Sequence, residues 1–201
     1  RRQGYYPTGR LLAMAQRIAR SDPILEKVGP TLAALRDAVT ETVVLGKLAP
    51  DGNVIYLEVM PSPHPISYVA DPGTQRHPHS NSLGKALLSL LSEEDRRKLL
   101  CSRKLERFNE RTLVTLEDIE KEIAHSRERG WFQNMGESMP DVAGIAWPLH
   151  ITGGEYAVSI AGPLYRIEAQ MQTLAQQLRV ACQVMEQRQQ PVARTPAPTT
   201  L

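Results

Sequence analysis

The sequence predicts an α+β domain, a mostly antiparallel sheet of about six strands with helices packed on it. Two observations predict it. Apolar residues recur at helical spacing at both ends and in the middle of the chain, and between those regions lie two blocks of period two, each with a turn signal inside. With 201 residues, 41% of them apolar, the chain can bury one proper core.

The elements follow in order. Leu11, Leu12, Ala15, Ile18 and Ala19 recur at helical spacing, and Pro23 marks the first turn of a second helix. In that second helix Leu25, Val28, Leu32, Leu35 and Val39 keep the 3.6-residue period, with a kink expected at Gly29-Pro30. From Thr42 the period is two, and "TVVLGKLAPDGNVIYLEVM" reads as a hairpin turning at Pro50-Asp51-Gly52-Asn53. "ISYVAD" is expected to add a third strand, and "PGTQRHPH" a loop leading to the helix in "HPHSNSLGKALLSLL". Ser92 with Asp95, and Thr115 with Asp118, open two more helices as capping boxes with Asp in place of Glu, and Gly130 stops the second. "WFQNMGES", "VAGIAWPLHI" and "YAVSIAG" read as three strands, the last two joined at Thr152-Gly153-Gly154. One closing helix runs from Pro163, with Ile167, Met171, Leu174, Leu178, Cys182 and Met185 on one face. Residues 189–201 are Pro-rich and low in hydrophobicity, a pattern that predicts a disordered tail.

Composition excludes several classes of function. The 24 Lys and Arg nearly balance 22 Asp and Glu, so total charge points to neither nucleic acid nor a membrane surface. Residues 1–20 hold five arginines and no acid, a local basic excess. No stretch approaches the roughly 20 apolar residues that cross a bilayer, and a soluble, cytoplasmic protein is expected. Cys101 and Cys182 lie in helical patterns and read as buried apolar residues. The sequence contains no G-x-S-x-G elbow, P-loop, G-x-G-x-x-G or H-E-x-x-H. His77 and His79 have no neighbouring carboxylate or Cys to complete a metal site, and neither a metal nor a cofactor is expected.

Binding chemistry remains. If a helix begins at Asn81 or Ser82, its first N–H groups and its dipole offer a small carboxylate a seat, and Gly84 clears space for a ligand or another backbone. The bland reading of the same residues is a capped core helix carried by Leu83, Leu87, Leu90 and Leu91.

Four segments together resemble the effector-binding domain of the IclR family of bacterial transcriptional regulators. They are "YYPTGRLLAMAQ", "HSNSLGKALLSLL", "RTLVTLEDIEKEIAHSRERGW" and "GIAWPLHITGGEYAVSIAGPLYRI", in order over about 180 residues. The resemblance implies a GAF-like domain over residues 23–188, preceded in 1–22 by the end of a wing and a linker helix. It implies a non-enzymatic sensor that binds a small carboxylate effector, self-associates as a dimer or tetramer, and meets operator DNA only through a winged helix-turn-helix absent from these residues. Ser82 and Leu83, with Gly84 beside them, match positions whose backbone receives the carboxylate. Asn134, Gly144, Ser159 and Ala161 match pocket-lining positions, and Arg76 falls near another. Where this chain has Asn134, Gly144 and Ala161, glyoxylate- and pyruvate-type members tend to carry Asp, Cys and Ser. That implies a pocket with fewer small polar groups and more room, for a larger carboxylate, aromatic or sugar-acid derived. If Gly144 faces the ligand, strand alternation puts Trp147 on the opposite face, under a helix. Two other readings stay open: a GAF-like sensor with a different output, and a small hydrolase or isomerase using Ser82 and His79.

Overall fold

The computed structural model describes residues 23–151 and 153–188, so the expectations for residues 1–22, Thr152 and 189–201 lie outside the described residues. Within them the chain forms helix α1 (Pro23–Val39), strands β1 (Thr42–Leu48), β2 (Val54–Met60) and β3 (Gln75–Arg76), a 3-10 turn over Pro78–Ser80, and helices α2 (Ser82–Leu90), α3 (Glu93–Cys101) and α4 (Leu116–Arg129). Strands β4 (Phe132–Met135), β5 (Val142–Ile151) and β6 (Gly154–Pro163) follow, then helices α5 (Leu164–Ala169) and α6 (Met171–Gln187). The six strands form one sheet in the order β3-β2-β1-β6-β5-β4, every neighbouring pair antiparallel. The α+β class and the strand count agree with the sequence reading.

Alternation along the central strands sorts side chains by size. On one face Val43, Leu45, Ile145, Leu149, Val158 and Ile160 pack against α1 and α6. The other face carries Ala146, Ala157, Ser159 and Ala161 at the alternate positions, together with Gly46 and Gly144. Small residues there let α2 lie close on the sheet. A Cβ built on Gly46 would overlap the Leu83 side chain, which fills that place instead. Trp147 points to the α6 side, where the Arg179 guanidinium lies 5.4 Å from its ring, as the alternation required.

Local signals behave as read at most boundaries. Gly52 sits at φ +77° in the β1–β2 turn, and Gly130 at φ +91° ends α4. Ser92 and Thr115 accept hydrogen bonds from the N–H groups of Asp95 and Asp118 (both 3.1 Å). Replacing either cap by alanine is expected to lower stability by about 1 kcal/mol, measurable as a shifted urea midpoint with unchanged slope.

Pro30 lies inside α1, which continues as helix across the Gly29-Pro30 pair. Three expectations are corrected. Cys101, expected to be buried, is exposed, while Cys182 is buried. The segment "ISYVAD" forms no strand: Ile66 and Val69 are exposed, and β2 takes its edge partners from Gln75 and Arg76. The prolines at 61, 63 and 65, immediately before it, have no N–H to donate and interrupt any ladder leading into this stretch. Side chains hold it instead, Thr42 Oγ1 donating to Tyr68 O (2.6 Å) and Arg166 Nη2 to Ile66 O (2.9 Å). The closing helix breaks at Gln170 (φ −122°). Here α5 follows the end of β6 while α6 crosses β5 and pairs with α1, a change of direction that no Gly or Pro announces.

Candidate functional site

The 3-10 turn and α2 carry the chain over the small-residue face of the sheet, and at the head of α2 a pocket opens between helix and strands. Ser82 from α2, Arg76 from β3, Asn134 from β4, Gly144 from β5 and Ser159 and Ala161 from β6 all line it. Six of the eight residues expected at the site are therefore brought together, although they span 86 positions from Arg76 to Ala161. Register explains the convergence, since Gly144 pairs with Asn134 on one side and Ala161 on the other.

Leu83 and Gly84 are not among the lining residues. The Leu83 side chain is fully buried in the core over Gly46, and its N–H donates to Asn81 Oδ1 (2.9 Å). Gly84 clears space for backbone rather than ligand: a Cβ there would stand 2.7 Å from the Pro78 carbonyl carbon and closer still to its Cα and oxygen. Asn81 also accepts from Gly84 N (3.4 Å), so the helix head that sequence reading left open is already capped. Asn81 thus caps α2, and Asn81 and Ser82 at its head both line the pocket.

The space beside Gly144 is filled by a neighbouring side chain. A Cβ on Gly144 would lie 2.9 Å from Ser82 Oγ, so the glycine accommodates that hydroxyl. The cavity measures about 20 Å³, room for roughly one water.

Sequence reasoning missed the far wall. Asn81 Nδ2 donates to Tyr56 Oη (3.1 Å), which lies 3.2 Å from Tyr68 Oη, and both phenols line the pocket. Tyr56 was findable, because Val54 and Tyr56 are the inward positions of the strand pattern; Tyr68 lies in the proline-rich stretch, where no period operates. Ser138 and Met139, from the loop between β4 and β5, complete the rim.

Electrostatically the lining has one sign. It carries the Arg76 guanidinium, 6.0 Å from the Tyr56 ring centroid, and no Asp or Glu. Arg76 has no carboxylate at ion-pair distance among the described residues. Burial raises the Tyr56 phenol well above its ordinary value, so it remains a neutral hydrogen-bonding group at physiological pH. Glu137, next to the lining residue Ser138, lies outside the lining and is paired with Lys85 (2.6 Å). Burial pushes the Glu137 carboxyl above its ordinary value, and the Lys85 ammonium offsets part of that effect.

A hydrolytic constellation does not assemble. His79 is fully buried, its Nε2 lies 2.9 Å from Glu106 O, and burial lowers its imidazole below the ordinary value. No hydrogen bond joins it to Ser82 among the described residues, so Ser82 has no positioned base. His77 stands 3.4 Å from Glu106, and no group of three potential metal ligands occurs among the described residues.

Comparison with known proteins agrees with this architecture. The family described as "Bacterial transcriptional regulator IclR C-terminal" matches residues 16–186. The HTH-type transcriptional regulator BhcR of Paracoccus denitrificans is 31% identical over 150 residues, covering 74% of this chain and 53% of that protein. The chain spans about half the length of the curated relatives it matches. The crystal structure of the Thermotoga maritima IclR has the same fold, with TM-score 0.82 at 19% identity over 92% of this chain and 75% of that one. An IclR homologue from Microbacterium hydrocarbonoxydans, solved in complex with 4-hydroxybenzoate, overlays with TM-score 0.77 at 24% identity over 89% of this chain and 73% of that one.

Proposed function

The chain belongs to the IclR family of bacterial transcriptional regulators, and on that premise we propose that residues 23–188 are an effector-sensing domain that binds a small carboxylate in the pocket at the head of α2. One observation carries the choice of ligand: the lining holds one guanidinium with no carboxylate counter-ion, with Ser82, Asn134 and Ser159 as further hydrogen-bonding groups. Arg76 Nη1 donates to the neutral Gln75 carbonyl (3.2 Å), and an anionic ligand supplies the missing counter-charge. The two phenols at the far wall favour an aromatic or otherwise extended acid, as does the 4-hydroxybenzoate held by the Microbacterium homologue. Since the cavity has room for about one water, binding requires Arg76 and the Ser138-Met139 rim to move outward.

In the whole protein the occupied pocket would alter the affinity of a winged helix-turn-helix for operator DNA, with residues 1–22 as connection and the sensing domain as the site of self-association. The curated relatives are named transcriptional regulators and are longer than this chain, whose match covers 53–55% of their length, which supports that arrangement. A cytoplasmic location goes with it, and among the described residues no helix is long and apolar enough to cross a membrane.

The test is a thermal-shift and calorimetric panel of aromatic acids, 2-oxo acids and sugar acids, each beside its methyl ester. At a hundredfold excess over Kd a true effector stabilises the domain by about 2.7 kcal/mol. Arg76→Leu is expected to weaken carboxylates about 10- to 100-fold while leaving esters unchanged, the span of one charged hydrogen bond. Equal binding of acids and esters by the unsubstituted protein would overturn the carboxylate assignment.

A further inference from the structure

Behind the pocket wall lies the buried ion pair of Lys85 and Glu137, neither of which lines the pocket. Lys85, one turn into α2, is fully buried; its Nζ donates to Glu137 Oε1 (2.6 Å) and to the carbonyl of Gln133 on β4 (2.9 Å). Glu137 is fixed on its backbone as well. Its carbonyl accepts from Thr112 Oγ1 (2.7 Å) and Asn109 Nδ2 (3.2 Å), and its N–H donates to Asn134 Oδ1 (2.7 Å).

That last bond decides what Asn134 shows to the pocket. A backbone N–H can only donate, so the Asn134 oxygen must face Glu137 and the NH2 end must face the other way. Nδ2 then stands 3.3 Å from Ser138 Oγ, on the pocket side. An asparagine free to flip would offer a ligand donor and acceptor alike. Held in this way, it offers a donor alone.

We propose that Lys85 and Glu137 are positioning residues: by fixing the backbone of residue 137 they hold the Asn134 amide with its NH2 toward the ligand, which makes the β4 wall select a carboxylate over the corresponding carboxamide. The proposal rests on the carboxylate reading of the pocket. Stability alone does not explain the pair, because burying two charges is commonly no better than packing apolar residues of similar volume. Glu137 Oε2 is moreover buried without a hydrogen-bond partner, so the pair is not optimised as an ion-pair network. Position is what it supplies, since Lys85 ties the helix that carries Ser82 to the strand that carries Asn134.

The test uses the full 201-residue chain and the double variant Lys85→Met/Glu137→Leu, which replaces the pair with apolar groups of similar size, with Lys85→Arg as the conservative control. Two readouts are taken. Amide hydrogen exchange at residue 137 is expected to speed up at least tenfold in the double variant at an unchanged melting temperature, and to stay slow in the unsubstituted protein and in Lys85→Arg. Calorimetry with 4-hydroxybenzoate against 4-hydroxybenzamide, and pyruvate against pyruvamide, is expected to show at least tenfold preference for the acid, reduced to less than threefold in the double variant and kept in Lys85→Arg. Unchanged exchange at residue 137 overturns the positioning role. Faster exchange with intact selectivity overturns the link to the ligand. If the unsubstituted protein binds none of the four probes and no acid of the wider panel, the carboxylate reading fails, and the exchange measurement still decides the positioning role.

Discussion

Replacing Gly84 by alanine is expected to cost at least about 3 kcal/mol of folding stability, the upper end of what overpacking causes. Glycine in mid-helix ordinarily gains roughly 0.5–1 kcal/mol on substitution by alanine. The sign reverses here because the added methyl meets backbone. It would stand 2.7 Å from the Pro78 carbonyl carbon, with the Pro78 oxygen nearer still, in a 3-10 turn whose three residues are all buried. Side chains escape such contacts by rotating, whereas the turn can escape only by moving off α2. That movement would carry Asn81 with it, and with Asn81 the cap of α2 and the bond to Tyr56. Gly84→Ala should therefore lose stability and ligand response together, whereas Arg76→Leu loses ligand response alone. Urea unfolding of both variants checks this; a Gly84→Ala protein as stable as the parent would show that the turn is free to shift.

Lys85→Met is expected to cost about 3–5 kcal/mol at pH 7, the range for breaking a buried pair by removal of one partner. Methionine fills the space but leaves the Glu137 carboxylate buried opposite an apolar group. Burial already holds that carboxyl above its ordinary value, and Lys85 opposes the rise, so without Lys85 the folded-state value climbs further. A carboxyl raised on folding penalises the folded state once the pH exceeds its unfolded value, near 4.5, and the penalty grows until the pH passes the folded value. Below about 4.5 the group is neutral in both states and the penalty vanishes. The stability gap between parent and variant should accordingly be widest at neutral pH and narrow as the pH falls toward 4.5. Urea titrations at pH 7 and pH 5 measure it, and a gap independent of pH would mean that Glu137 does not carry the charge.

Most of the fold was legible because its signals are local. The β1–β2 turn, the Ser92 and Thr115 caps and the Gly130 stop each rest on bonds within four residues, and each was read from the residues that make it. The break at Gln170 and the edge strand at Gln75-Arg76 were not legible, because both answer to partners distant in sequence. Likewise for the site. The pocket positions came from resemblance and alternation, and six of the eight lie in the lining. Leu83 and Gly84 went the other way for reasons no periodicity contains: Gly46 leaves a place that Leu83 fills, and Pro78 passes over the helix where Gly84 has no side chain.

The sequence by itself determined the α+β class, the element boundaries set by caps and turns, and which strand faces are apolar, because these depend on neighbours two to four positions apart. Tertiary structure alone decided that the polar residues around the pocket include one cation and no anion, that Asn81 already occupies the head of α2, and that Asn134 turns its NH2 to the site. These are consequences of strand register and of a buried ion pair spanning 52 residues. Charge and hydrogen-bond direction in a pocket are set by whatever the folded chain brings within about 3 Å, and sequence spacing does not encode that distance.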